Sequence, residues 1–162
     1  MFAKLDSFIQ NAEELVPLFS RHYDELSLMH GRFELAPNWT RYSELELFDQ
    51  LLFITLREGD PRNPGPIRGY FSGILSTHLH YATCMALHPD MYFILPEWRG
   101  RSAGAFQLFR KVQKEAELRG VRHWQTATKN KSPEAARLMK ALGFTPTDVV
   151  WGKWLNEPQE RV

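Results

Sequence analysis

Met91-Tyr-Phe-Ile-Leu-Pro-Glu-Trp-Arg-Gly-Arg-Ser-Ala-Gly-Ala105 decides the reading of this chain. Met91 to Leu95 is a short apolar run with strand character. A tight, basic, small-residue turn follows, and a helix begins at once. A helix N-terminus leaves backbone N–H groups unpaired at the positive end of the macrodipole. Small residues let a ligand approach that backbone closely, and Arg99 and Arg101 flank it. The stretch therefore has the chemistry of a phosphate or pyrophosphate site. It lacks the Gly-Lys-Ser/Thr end of a Walker A loop and the spacing of a G-x-G-x-x-G turn.

Outward from this stretch, hydrophobic spacing sets the other elements. Residues 102–119 form a helix with Ala105, Leu108, Phe109, Val112 and Ala116 on its apolar face, and Gly120 is its stop. Val121 to Thr128 reads as a strand. Ser132 to Leu142 reads as a helix with Ser132 as N-cap, Pro133 in the first turn and Gly143 beyond its end. Asp148 to Leu155 reads as a final strand. Upstream, residues 7–28 carry one apolar helical face, with Ser7 a candidate cap and Pro17 a candidate kink. A loop over 31–40 precedes a short helix over 41–50. Leu51 to Leu56 and Ile67 to Leu75 are strands separated by a turn over Glu58 to Gly65. Ser76 to Asp90, with three of the six histidines, stays unassigned. The predicted order is helix, helix, strand, strand, strand, helix, strand, helix, strand, with no linker: one mixed α/β domain over residues 1–162.

Composition narrows the function. The chain has 162 residues and is 43% hydrophobic and 24% charged, the make-up of a globular protein with a sizeable core. One cysteine, Cys84, excludes an internal disulfide and a cysteine zinc cluster. No apolar run approaches the ~20 residues of a membrane span, and Met1 to Asp6 has no secretory apolar block, so a cytoplasmic setting is expected. Net charge is +1 but uneven: 5 Lys/Arg against 11 Asp/Glu before residue 61, and 15 against 8 after it. Residues 99–122 alone hold seven Arg/Lys and two Glu. That asymmetry fits an anionic ligand, although two solvated faces of opposite sign would read the same.

Leu95-Pro-Glu-Trp-Arg-Gly-Arg-Ser-Ala-Gly104 resembles the acyl-coenzyme A loop of the Gcn5-related N-acetyltransferase (GNAT) superfamily, Arg/Gln-x-x-Gly-x-Gly/Ala. Arg99 and Gly104 match its ends, and Ser102 stands where the middle glycine is usual. Ser132-Pro-Glu-Ala-Ala-Arg-Leu-Met-Lys-Ala-Leu-Gly-Phe144 resembles the second signature helix, with Ala135, Leu138, Gly143 and Phe144 matching. The resemblance covers roughly residues 83–155. His80-Tyr81 and Asp90-Met-Tyr-Phe-Ile-Leu-Pro-Glu also resemble acetyltransferase-like proteins of tailed bacteriophages.

The resemblance implies a mixed sheet whose central parallel strands splay apart, with flanking helices and acetyl-CoA as cosubstrate. Backbone groups of Phe93, Ile94 and Leu95 would pair with the pantetheine arm. Arg99, Gly100, Arg101, Ser102, Ala103, Gly104 and Ala105 would cradle the pyrophosphate, and Ser132 and Met139 would flank the cofactor. A backbone N–H near Leu95 would polarise the thioester. The implied reaction is direct acetyl transfer to the primary amine of a small molecule or protein. An ammonium has no lone pair, so a base is needed. Asp90, His88 and Glu97 are the leading candidates, with His80 and His123 behind them. Met139 stands in place of a tyrosine that commonly protonates the thiolate, and Ser132 in place of an asparagine. The alternative is therefore a GNAT-fold binding or virion-associated protein without turnover. Nucleic-acid binding through residues 99–122 is a weaker reading, since CoA phosphates account for the same charges. The last strand is a candidate homodimer edge.

Overall fold

Strand β2 (Leu51–Asp60) shows why the sheet is central. Leu51 and Phe53 enter one buried cluster, while Leu52, Ile54 and Leu56 enter another. A strand buried on both faces reads as an unbroken apolar run, and this one does. The computed structural model describes residues 1–100, 103–129 and 132–155.

The sheet has five strands in the order β1-β2-β3-β4-β5. The others are β1 (Phe2–Leu5), β3 (Asn63–His78), β4 (Tyr81–Ile94) and β5 (Val121–Trp124). Pairings are antiparallel except β4 with β5, which is parallel. Helices α1 (Ala12–Leu26) and α2 (Trp39–Leu47) cover one face. Their Leu15, Leu18, Phe19 and Leu45 pack with Phe8, Phe53, Tyr70 and Phe93. Helices α3 (Gly104–Leu118) and α4 (Pro133–Ala141) cover the other. There Leu108, Phe109, Val112 and Met139 pack with Ile54, Phe71 and Leu87.

A polar cluster fastens the N-terminal segment. The buried Arg57 guanidinium donates to Asp6 Oδ2 at 3.1 Å, Glu14 Oε2 at 3.1 Å and the Gly65 carbonyl at 3.1 Å, and it also reaches Asn11. Glu14 Oε1 accepts the Ile67 N–H at 2.6 Å, which ties α1 to β3.

The structure corrects three sequence expectations and assigns the segment left open. The chain opens on a strand, because Phe2–Leu5 pairs with β2 through Arg57 to Ile54. The predicted turn over Glu58 to Gly65 narrows to Pro61-Arg62, with Asp60 Oδ1 accepting the Arg62 N–H at 2.8 Å. Ser76 to Asp90 is a hairpin, turning at Leu79-His80 and continuing into β4. Asp148 to Leu155 forms no strand: its β-branched and aromatic residues suit one, but no described strand pairs with it. No described helix is long and apolar enough to cross a membrane.

Candidate functional site

The parallel pair sets the site. β4 and β5 are in register only from Met85 to Leu87, against Val121 to Trp124. The last rung is the Gln125 N–H donating to the Leu87 carbonyl at 3.0 Å. β4 runs on to Ile94, so among the described residues its stretch from Pro89 has a strand on one edge only. Ser72 pairs with Met91 and Gly73 with Pro89, which leaves Asp90 as an extra residue, a β-bulge. Bulges re-aim side chains and gather beside functional sites. Here the bulge lies just past the point where the parallel strands separate. Two side-chain bonds cross the gap: Tyr92 O–H to the Ala127 carbonyl at 2.9 Å, and His88 Nδ1 with Gln125 Oε1 at 3.0 Å.

Beyond β4, Leu95 donates its N–H to the Arg68 carbonyl at 2.9 Å. The expected role of that N–H at a thioester is thus taken by the sheet. Phe93 is buried in the α1–α2 layer. Ile94 offers its carbonyl to Arg99 Nε at 2.8 Å. A short 3-10 turn, Pro96–Trp98, leads to Gly100 at φ +70° and Ala103 at φ 52°. A left-handed alanine is uncommon and marks a tightly specified turn. Arg101 and Ser102 lie outside the described residues. Gly104 opens α3, and a Cβ there would sit 2.8 Å from Met1 Cε and 2.9 Å from Leu56 Cδ2. A side chain here would push those two side-chain ends aside, so close packing accounts for a small residue without any ligand. Among the described residues no side chain caps α3, and its first turn, which includes the half-buried Ala105, holds no acid to offset the positive helix end.

Two ion pairs tie this connector to α1. Arg21 makes a fork with both Glu97 oxygens at 2.8 Å each. Glu25 takes Arg99 at 2.6 and 3.0 Å, and the Arg99 guanidinium lies over the Phe93 ring at 5.3 Å. Of the basic residues in 99–122, Lys111 and Arg119 likewise pair with Glu115. Much of the positive run is thus spent inside the molecule.

The candidate bases separate clearly. Glu97 is exposed, and its hydrogen bonds with Arg21 hold its carboxyl down at about 2, which makes it a very weak base. His80 sits at the hairpin tip and His123 on β5, both exposed. His88 is engaged with Gln125. Asp90 stands on the bulge, with Tyr42 O–H donating to Oδ2 at 2.7 Å and Ser72 O–H at 3.0 Å. Burial, then the Asp90 charge and bond, push the Tyr42 phenol far up, so it remains a donor. Ser132 is buried just before α4, where its carbonyl accepts the Ala135 N–H at 3.1 Å and its hydroxyl makes no cap. Met139 is buried in the α3–α4 core layer.

No protein-family model matches the sequence, and no curated protein does. Solved structures do. A transcriptional regulator from Bacillus halodurans C-125 superposes with a TM-score of 0.73 at 20% identity, over 94% of this chain and 98% of that one. Aminoglycoside N-acetyltransferase AAC(6')-Iy in complex with CoA gives 0.67 at 18%, over 95% and 98%. A ribosomal-protein-alanine N-acetyltransferase from Brucella melitensis biovar Abortus 2308 gives 0.64 at 13%, over 97% and 99%. The fold is that of the GNAT acetyltransferases. Within it, the expected splay of the central parallel strands falls between β4 and β5.

On the GNAT fold, the side chains that complete the site come from segments the two signatures do not reach. Tyr42, Ser72, Gln125, Arg21 and Glu25 all approach from other elements. So does His22 on α1, which stacks on Phe93 at 4.8 Å and 9° and shares a 2.7 Å hydrogen bond with Tyr70 O–H. Burial, and then Lys129, lower His22 to about 4. A histidine held neutral stabilises the fold above its ordinary value and loses that contribution as pH falls toward the folded one. Stability should therefore drop by about 2–3 kcal/mol between roughly pH 6.5 and 4. Denaturant titrations across that range check this, and His22→Gln should flatten the limb.

Proposed function

We propose that the protein is an acetyl-CoA-dependent N-acetyltransferase acting by direct transfer to a primary amine. The observation that carries this reading is the one-sided stretch of β4 from the Asp90 bulge to Ile94. It offers backbone groups to an amide-bearing arm where the parallel partner has turned away. The arm enters as an added strand, and its diphosphate meets the positive N-terminal end of α3. Arg99 turns from Glu25 to the phosphates, exchanging one charge-assisted contact for another. With the Leu95 N–H already bonded, the backbone N–H at the bulge is the donor placed for the thioester oxygen. The acceptor nitrogen loses a proton to Asp90 and attacks the carbonyl carbon. The tetrahedral adduct collapses with cleavage of the C–S bond, and the second proton on its nitrogen passes to the departing thiolate, giving the N-acetyl product and CoA thiol. Calorimetry with acetyl-CoA, followed by thiol release across an amine panel, tests the reading; no binding at millimolar ligand removes it. Arg99→Ala should weaken binding about tenfold, and Glu25→Gln should tighten it severalfold by releasing the guanidinium.

A second reading keeps the fold for binding without turnover, whether as a regulator or a virion-associated protein. Met139 supports it, because a buried thioether offers the leaving thiolate no proton. One structural neighbour is itself described as a transcriptional regulator. Acetyl-CoA binding with no thiol release from any amine selects this reading.

A further inference from the structure

Asp90 stands among half-buried apolar side chains, and these limit what can bind beside it. Ser72 and Ile74 of β3 lie on the same face of the sheet, and they pair with Met91 and His88 of β4. Ile74, Met91, Tyr42 and Trp39 are half-buried and pack against the α1–α2 core. Trp39 lies one turn before Tyr42 on α2, so both rings belong to one helix face. Tyr42 is held flat on Phe8, with ring centroids 4.1 Å apart and planes at 17°, which fixes the wall next to the carboxylate. His88 and Gln125, bonded to each other at 3.0 Å, close the β5 side.

Charge is as selective here as shape. Asp90 is exposed, its Oδ2 holds the Tyr42 and Ser72 hydroxyls, and among the described residues no cation pairs with it. Carboxylates on neighbouring elements are engaged: Glu25 with Arg99, Glu44 with Arg41, Glu97 with Arg21, and Glu46 with the Phe8 and Ile9 N–H groups. Asp90 therefore offers one negative charge amid methyl, thioether and ring surface. One ammonium matches that charge. A second, carried past Asp90 onto Ile74 or Met91, would lose water without gaining a counter-ion. An apolar body gains from burial on the same surface. The apolar surroundings also favour the neutral form of a bound amine, which eases loss of its proton to Asp90.

We infer that the acceptor is a primary amine with a single positive charge on an apolar body, its nitrogen at the Asp90 carboxylate and its body on Ile74, Met91 and Tyr42. The transfer step rests on the acetyltransferase reading above. The amine site itself is built by side chains of the free chain. Diamines, polyamines and lysine side chains on polar peptides are poor acceptors.

Hexylamine and hexane-1,6-diamine share a carbon chain and differ by one terminal charge. With acetyl-CoA at saturation, kcat/KM for hexylamine should exceed that for the diamine by about tenfold. It should rise about threefold to fourfold with each methylene from propylamine to hexylamine. Ile74→Glu places a carboxylate on the wall and should reverse the preference between the two amines. Without cofactor, millimolar hexylamine should shift the methyl NMR signals of Ile74 and Met91 in the unmodified chain. The diamine should need about tenfold more to do so. Methyl shifts without any acetyl-CoA binding overturn the transfer reading and keep the monoamine site. Turnover that favours the diamine or a lysine peptide overturns the monoamine site and keeps the transfer reading. Hexylamine that leaves both methyls unmoved overturns the site as well. So does a folded Ile74→Glu chain with the original preference.

Discussion

Asp90→Asn should lower the rate of acetyl transfer by about 10²–10⁴-fold while leaving acetyl-CoA affinity unchanged. The substitution preserves shape, and the amide oxygen still accepts from Tyr42 and Ser72, which share Oδ2 at 2.7 and 3.0 Å. What it removes is the group that takes a proton. Steady-state rates and acetyl-CoA calorimetry on the same preparation separate chemistry from binding. Tyr42→Phe makes the complementary case, as Tyr42 is a positioning residue. Its loss should lower kcat far less than Asp90→Asn does and leave acetyl-CoA affinity unchanged. If His88→Gln rather than Asp90→Asn abolishes turnover, the base lies on the histidine that holds Gln125.

The largest effect on stability is expected at Arg57. Arg57→Met should cost about 3–5 kcal/mol, because breaking a buried pair from one side strands its partners. Those partners are Asp6 and Glu14, and the other oxygen of Glu14 accepts the Ile67 N–H, so the stranded carboxylate lies on the joint between α1 and β3. Asp6 records the arrangement in its own titration. Burial pushes its carboxyl up, but bonds from Thr55, Arg57 and Asn11 outweigh burial and hold it below the ordinary range. The stabilisation is thus present at neutral pH and is lost only as acid protonates the folded carboxylate. Urea denaturation of the single variant measures the cost. The triple variant Arg57→Met, Asp6→Asn, Glu14→Gln should recover part of it, since no uncompensated charge remains.

Local signals made much of the fold legible. Leu51 to Leu56 announced a strand buried on both sides, and the apolar stripe from Ala105 to Ala116 announced α3. Glycines 120 and 143 marked real helix ends, each at positive φ. What stayed hidden depends on contacts distant in sequence. Phe2–Leu5 is too short to show a period and becomes a strand only against β2. The bulge at Asp90 is a mismatch between two strands, so neither strand alone reveals it. Tyr42 and Asp90 are 48 residues apart, and no spacing rule joins them. Gly104 carried a double signal: the smallness that suits a phosphate turn also lets Met1 and Leu56 pack close against it. The β-branched and aromatic residues after Asp148 suit a strand, but their composition could not say which edge, if any, accepts them.

The two forks between α1 and the connector alternate in sign. Arg21 faces Glu97 and, one helical turn on, Glu25 faces Arg99. Each pair is partly open to water and adds little to stability by itself. Together they work as a keyed joint. Sliding α1 by a single turn would bring guanidinium against guanidinium or carboxylate against carboxylate, so the helix locks in one seat.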